Sequence, residues 1–182
     1  MRRPRAQAAL VLLPLLAGGC FSSSYELDGT AAFSRVDVDG AAGDERADGY
    51  RLAGNFSSAL FTPGFLRAGQ GNGLRGNVNL AYSKHDDNEY AVWSPQVGPS
   101  FRLGLGGLFV EPGVTAGAAF AELEEDRESA WAVRPYARIG LASDWFVLGL
   151  EGGYQYDDLD FDFGSEPRTW YAGGFFGIRL SD

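Results

Sequence analysis

The stretch Leu74-Arg75-Gly76-Asn77-Val78-Asn79-Leu80-Ala81-Tyr82 decides the fold, because two unlike sets of side chains alternate along it. Leucine, valine and tyrosine fall on one side of this alternation, and arginine, asparagine and alanine fall on the other. Successive side chains of a β-strand point to opposite faces of the sheet. The pattern therefore predicts a strand with one apolar and one polar face.

A second stretch of the chain, residues 131–141, repeats this pattern with Trp131 and Val133 on one face and Arg134 and Arg138 on the other. The same rule predicts eight strands in all, at residues 25–36, 50–61, 74–82, 91–103, 108–121, 131–141, 146–156 and 170–180. Every second connection is acidic and polar, at residues 37–49, 84–90, 122–129 and 157–168. The other three connections, at residues 62–73, 104–107 and 142–145, lack that acidic character.

These strands and connections predict an all-β fold, an eight-stranded antiparallel up-and-down transmembrane β-barrel. Strands of about 9–11 residues cross a bilayer when tilted, and a closed barrel pairs every backbone group without leaving an edge. Long loops at one end and mostly short turns at the other are typical of such barrels. Aromatic residues near both ends of the predicted strands indicate two interfacial girdles. Those near the acidic connections are Tyr50, Tyr82, Trp93, Phe120, Trp131, Tyr154 and Trp170, and those near the opposite end are Tyr25, Phe61, Phe101, Phe146 and Phe176.

Charged residues on the polar face are expected to fill the barrel interior. Because unpaired charges in a confined lumen are costly, we expect carboxylate–guanidinium pairs among them. This predicted network consists of Glu26, Asp28, Arg51, Arg75, Arg102, Glu111, Arg134, Arg138, Glu151 and Arg179. Its expected role is packing, and no catalytic role is assigned to it.

The N-terminus is typical of an export signal. Three arginines precede an apolar run, and Ala17-Gly18-Gly19-Cys20 follows it. We expect residues 1–19 to be a signal peptide and residues 20–182 to form the barrel domain. Small residues before the single cysteine resemble a lipobox, which implies acylation of Cys20. Ordinary signal cleavage near Cys20 is the alternative.

Composition limits the possible partners and chemistry. The formal charge of −9 argues against a nucleic-acid partner. The only histidine, His85, is predicted to lie in a solvated loop, and no serine lies in a nucleophile-elbow motif. The acidic connections are interpreted as solvated loops rather than metal sites, since their spacing does not match a calcium loop. No catalytic residue, metal or cofactor is predicted.

The C-terminal stretch Tyr171-Ala172-Gly173-Gly174-Phe175-Phe176-Gly177-Ile178 is similar to the signal that the outer-membrane assembly machinery reads. Over residues 24–182 the chain resembles the small eight-stranded outer-membrane barrels of the OmpA-type and opacity-protein-like group. The resemblance implies a monomeric, non-enzymatic protein of the bacterial outer membrane with a structural or surface-interaction role. Its implied partners are membrane lipids, lipopolysaccharide and the assembly machinery.

Two alternatives remain open from the sequence. A lipid-anchored periplasmic barrel of lipocalin type would also show eight alternating strands, but its apolar face would line a ligand cavity. A lipid A-modifying hydrolase is the other alternative, since the lipid A deacylases resemble this architecture and use a His–Ser pair. Here no serine follows His85 at the matching position.

Overall fold

Hydrogen bonds between neighbouring strands connect the described chain into a closed β-barrel. The computed structural model describes residues 24–40, 43–61, 72–85, 90–123, 126–158 and 167–181. The predicted signal peptide at residues 1–19 and Cys20 lie outside these ranges. The strands are β1 Ser24–Gly40, β2 Gly43–Phe61, β3 Gly73–His85, β4 Tyr90–Leu105, β5 Leu108–Leu123, β6 Asp126–Ala142, β7 Phe146–Asp157 and β8 Pro167–Ser181. No helix in the described part is long and apolar enough to cross a membrane.

The strands follow one another around the barrel in chain order, and every neighbouring pair is antiparallel. Closure comes from β1 and β8, which pair from Ser24 with Ser181 to Val38 with Pro167. The predicted fold class is therefore confirmed. Ser24 and Ser181 lie at one end of the barrel, called here the terminal end. The four predicted acidic connections join strands at the opposite end, called here the loop end.

The strands extend further toward the loop end than the alternation predicted. Residues 37–49 were expected to form a loop, yet Asp37 pairs with Arg46 and Asp39 pairs with Asp44 in the β1–β2 ladder. Residues 84–85, 122–123 and 157 likewise belong to strands. Cross-strand ion pairs accompany the extension, with Arg35 Nε 2.6 Å from Asp48 Oδ1. Opposite charges on facing strands stabilise a ladder, so acidic composition did not mark the strand ends.

Two tight connections lie at the terminal end of the described chain. Gly106 and Gly107, between β4 and β5, have φ angles of 61° and 97°. Positive φ at both central positions suits a two-residue hairpin, and glycine adopts it without strain. Between β6 and β7, the Ser143 hydroxyl accepts hydrogen bonds from the amides of Trp145 and Phe146 at 3.4 and 3.3 Å.

The two faces of the sheet have the polarity that the alternation predicted. Large apolar side chains point outward, with Leu150 64 % and Trp131 66 % exposed, while arginines, glutamates, asparagines and glutamines are buried inside. Aromatic rings form contacts around the loop end, such as Tyr82–Trp93 and Tyr154–Trp170 with centroids 4.7 and 4.6 Å apart. One predicted girdle residue is placed differently. Phe176 was expected near the terminal end, but it pairs with Gly29, midway between Tyr25 and Phe33.

Candidate functional site

Closest to the terminal end, the interior contains an ion-pair cluster centred on Glu26. Arg102 donates from both terminal nitrogens to the Glu26 carboxylate at 2.6 and 2.7 Å, and its Nε donates to Glu111 at 2.6 Å. Arg75 lies 3.1 Å from Glu26, and Arg179 lies 3.7 Å from it. One carboxylate thus faces three guanidinium groups that come from β3, β4 and β8. Such charge-assisted, partly bidentate contacts fix the geometry of the strands that carry them.

The next layer toward the loop end is centred on Arg138. Its two terminal nitrogens donate to the Asp28 carboxylate at 3.0 Å each, which connects β6 to β1 across the lumen. Its Nε donates to Glu151 at 2.6 Å. Glu151 also accepts hydrogen bonds from Arg134 and from the Tyr171 hydroxyl, both at 3.0 Å. Every charged group in this layer therefore contacts an opposite charge.

Glycines on the interior face provide room for tyrosine rings in the same region. A Cβ added to Gly113 would lie 2.5 Å from Tyr136 Cζ, and one added to Gly153 would lie 2.5 Å from the Tyr171 hydroxyl. These tyrosines pack beside the interior arginines, and Arg134 Cζ lies 4.7 Å from the centroid of the Tyr136 ring.

Arg51 does not form the carboxylate–guanidinium pair that was predicted for the interior arginines. The structure buries it as expected, but no carboxylate among the described residues lies within ion-pair distance of it. Its Nη1 donates to Ser83 Oγ at 3.3 Å and to Gln155 Oε1 at 3.0 Å, and its guanidinium lies 4.7 Å from the Tyr171 ring centroid. The amide of Gln155 separates it from Asp157, to which Gln155 Nε2 donates at 2.8 Å. The order of Gln155 and Asp157 in the sequence did not reveal that the Gln155 amide would lie between Arg51 and Asp157.

An apolar cluster occupies the interior nearest the loop end. It consists of Val36, Ala47, Tyr90, Val92, Ala119, Ala121 and Ala132. These side chains lie on the same inward face that carries charged groups deeper in the barrel. The buried polar residues His85 and Asp157 lie at the same level, since they pair with Tyr90 and Ala132 of the cluster. The charged layers are therefore separated from the loop end by a packed layer of mainly apolar side chains, which lowers the local dielectric and strengthens the ion pairs beneath it.

His85 is not in a solvated loop, which corrects the prediction made for it. It is the last residue of β3 and is fully buried. Its Nε2 lies 3.1 Å from Ser34 Oγ on β1, and its ring centroid is 5.8 Å from that of Tyr90. A serine–histidine pair thus exists in space although the residues are 51 positions apart in the sequence. Both side chains are closed off from lipid and from solvent.

Several interior polar residues were missed at the sequence level. Asp157 was assigned to an acidic loop, but it ends β7 with its side chain buried. The signal that identifies it is the alternation itself, because Glu151, Gln155 and Asp157 are spaced by even numbers. His85 lies ten positions after Arg75 and therefore on the same face of its strand. Continuing the alternation of faces beyond the predicted strand ends would have placed His85 and Asp157 inside the barrel.

The predicted absence of a metal site concerns segments of which only part is described. Within the described ranges, no group of three histidine, cysteine, aspartate or glutamate residues is placed to hold a metal ion. Asp160, Asp162, Glu124 and Glu125 belong to the acidic connections and lie outside those ranges.

An apolar outer surface with aromatic rings at the loop end and a charge-paired interior define the chain as a barrel of the transmembrane type. It has the fold of the small eight-stranded outer-membrane barrels. The solved Neisserial surface protein A matches 88 % of this chain and 98 % of its own length, with a TM-score of 0.60 and 12 % identity. The attachment invasion locus protein Ail of Yersinia pestis, solved with the heparin analogue sucrose octasulfate, matches 85 % and 98 %, with a TM-score of 0.52 and 16 % identity.

At these identities the two structures support the fold alone. No family model matches the sequence, and no curated protein matches it. The lipocalin alternative needs an apolar interior, whereas the described interior holds six arginines and five carboxylic acids. That alternative is therefore not supported.

Proposed function

We propose that the protein is an integral, non-enzymatic barrel of the bacterial outer membrane, with its loop end outside the cell and its terminal end in the periplasm. The observation that carries the proposal is the division of the two faces. Leucine, valine, phenylalanine and tryptophan side chains cover the outside of the barrel, and paired arginines and carboxylates fill the inside. A surface of this kind is stable in hydrocarbon and aggregates in water.

Behaviour in detergent and in membranes tests this placement. The folded barrel should migrate faster than the heated chain on a detergent gel, and it should stay in the membrane during carbonate or urea extraction. A Cys20→Ser variant provides the matched control, because it removes any lipid anchor and leaves the strands intact. Release of that variant into the soluble fraction would show that a lipid, and not the barrel, holds the protein at the membrane.

The outward-facing end suits a surface-interaction role with a particular charge preference. Segments 35–48, 84–90, 122–129 and 158–168, at the loop end, hold 17 of the 24 acidic residues and five of the 15 basic ones. Sucrose octasulfate, the ligand named for Ail, is a polyanion, so these segments would repel it. We propose that the loop end binds neutral or cationic partners.

Calorimetry with two probes of opposite charge tests this preference. Oligolysine should bind the detergent-solubilised barrel with an affinity that falls as salt rises, and sucrose octasulfate should give no heat above the buffer blank. Binding of the octasulfate would contradict the proposed preference while leaving the membrane placement intact.

Lipids and the assembly machinery are the other proposed partners. The exposed aromatic residues at the loop end, among them Trp93, Phe120, Trp131 and Trp170, would contact the lipopolysaccharide leaflet. Strand β8 presents Phe176, Ile178 and Leu180 to the outside, which suits recognition by the assembly machinery. A double variant, Phe176→Ala with Ile178→Ala, should reduce insertion in cells and still refold in detergent. Unchanged insertion in cells would contradict this recognition.

A further inference from the structure

Arg51 is the interior arginine with two buried guanidinium nitrogens that lack a hydrogen-bond partner. Its Nε and Nη2 have no hydrogen-bond partner in the described structure, although the residue is only 1 % exposed. These two nitrogens form one edge of the guanidinium plane. The chain uses this same edge elsewhere: Arg35 donates from Nε and Nη2 to the two oxygens of Asp48 at 2.6 and 3.2 Å. The edge is a geometric match for an anion.

The charge balance of the interior points in the same direction. The buried groups of the described chain include six arginines, namely Arg51, Arg75, Arg102, Arg134, Arg138 and Arg179. They include five carboxylic acids, namely Glu26, Asp28, Glu111, Glu151 and Asp157. Among these buried groups one positive charge is left over even when every carboxyl group is ionised. The exposed Asp144 acts electrostatically on Arg179 at the terminal end. An uncompensated charge in a low-dielectric interior is strongly unfavourable.

The surroundings of Arg51 provide only partial compensation. Ser83, Gln155 and the Tyr171 ring are neutral partners on one side of its guanidinium. Gln155 Oε1 also accepts a hydrogen bond from Gln96 Nε2 at 3.3 Å. The same oxygen therefore serves two donors, Arg51 and Gln96. The apolar cluster toward the loop end limits access of bulk water to this layer. The carboxylates of Glu151 and Asp157 act on the guanidinium electrostatically without contacting it, and the Nε–Nη2 edge has no hydrogen-bond partner.

We propose that the interior of the barrel contains a binding site for a small inorganic monoanion such as chloride, held by Nε and Nη2 of Arg51. The anion would balance the surplus charge and complete the hydrogen bonding of the guanidinium. Because the apolar cluster covers this layer, the anion would be taken up as the barrel closes and would exchange slowly afterwards. The site would thus be a resident structural element and not a conduction path.

Anomalous diffraction with bromide as the probe tests the site in the wild-type protein. Crystals grown in sodium bromide should show an anomalous peak within hydrogen-bonding distance of both Arg51 Nε and Nη2. A water molecule at that position without anomalous signal would overturn the proposal. This measurement does not depend on any variant folding.

Stability in different salts provides the second test. At constant ionic strength, a tenfold increase in chloride replacing gluconate, at concentrations above the dissociation constant, should raise the wild-type thermal midpoint by about 3–5 °C. Arg51→Gln should show no such rise. Arg51→Lys keeps the charge without the bidentate edge and should show a smaller one. Equal wild-type midpoints in chloride and gluconate would contradict the site.

Asp157→Asn is the matched control for electrostatics in the same layer. Glu151 and Asp157 both act on Arg51 electrostatically. This variant keeps Arg51 and removes one of these two carboxylates, so its chloride dependence should be at least as large as that of the wild type. Loss of the dependence in Asp157→Asn would show that the effect belongs to Asp157, and it would overturn the assignment to Arg51.

Discussion

Ser34 Oγ and His85 Nε2 lie 3.1 Å apart inside the loop end of the barrel, although strand β2 runs between the two strands that carry them. The residue of β2 at this level is Gly49, which pairs with Ser34 on one side and with His85 on the other. Glycine has no side chain that would separate the two. The Ser34–His85 contact therefore depends on the glycine at position 49, although Gly49 itself does not form the contact.

Gly49→Ala should destabilise the barrel. A Cβ at this position would lie 2.0 Å from the carbonyl oxygen of Lys84 and 2.8 Å from His85 Cα, so the β2–β3 ladder would have to open. We expect a loss of at least about 2 kcal/mol in the free energy of unfolding. Urea titration followed by gel mobility would measure it.

Gly54→Ala on the same strand is the matched control for that substitution. Its added Cβ would meet no atom within 4 Å, and alanine suits a strand at least as well as glycine does. Its midpoint should stay within about 0.5 kcal/mol of wild type. An equal loss in both variants would mean that the close approach at Gly49 is not the cause.

Ser34→Ala and His85→Ala should leave lipid A unchanged. A catalytic serine–histidine pair must reach its substrate, and here both side chains are fully buried in the lumen, away from the lipid-facing surface. We expect identical lipid A mass spectra from cells that produce wild type, either variant or no protein. A lipid A species that appears with wild type and disappears in both variants would establish the hydrolase alternative.

The sequence predicted the sheet well because its alternation has a strict physical meaning. A one-residue change of register would expose Arg75 and Arg138 to lipid, so the inward set is strongly specified. The eight strands and the burial of all ten predicted interior residues follow from this alternation of inward and outward side chains. The strand ends were predicted less well, because ion pairs such as Arg35–Asp48 continue the ladder through acidic sequence.

Partners across the lumen could not be predicted from the same pattern. Arg138 and Asp28 are 110 positions apart, and their contact depends on barrel closure and on the stagger of the strands. For the same reason the sequence did not reveal that Arg51 faces Gln155 while Arg102 contacts two carboxylates. Alternation determines the face of a side chain, and three-dimensional closure determines its neighbour.

The Asp28–Arg138 pair should show strong coupling in a double-mutant cycle. Each single substitution, Asp28→Asn or Arg138→Gln, leaves a buried charge with a weakened partner set and should cost about 3–5 kcal/mol. The double variant should cost less than the sum by about 1–3 kcal/mol. Unfolding in urea or guanidinium would measure all three variants.

The exposed Glu122–Arg127 pair is the control cycle for that coupling. Their side chains are 52 % and 79 % exposed, and the contact is 2.9 Å. Removal of either charge should change stability by no more than about 1 kcal/mol. Additive effects in the Asp28–Arg138 cycle would contradict the view that this ion pair stabilises the closed barrel.

Leu150→Arg tests directly which face of the sheet contacts hydrocarbon. Leu150 points outward between Ile139 and Gly174, four residues from Tyr154 toward the loop end and four from Phe146 toward the terminal end. At this central level an arginine should cost about 2–4 kcal/mol of folding into a bilayer. Leu105→Arg is the control, because Leu105 is 84 % exposed beside the β4–β5 turn, where the cost should fall to about 0–1 kcal/mol. Refolding yields into lipid vesicles would measure both, and equal yields would place the hydrocarbon layer elsewhere on the barrel.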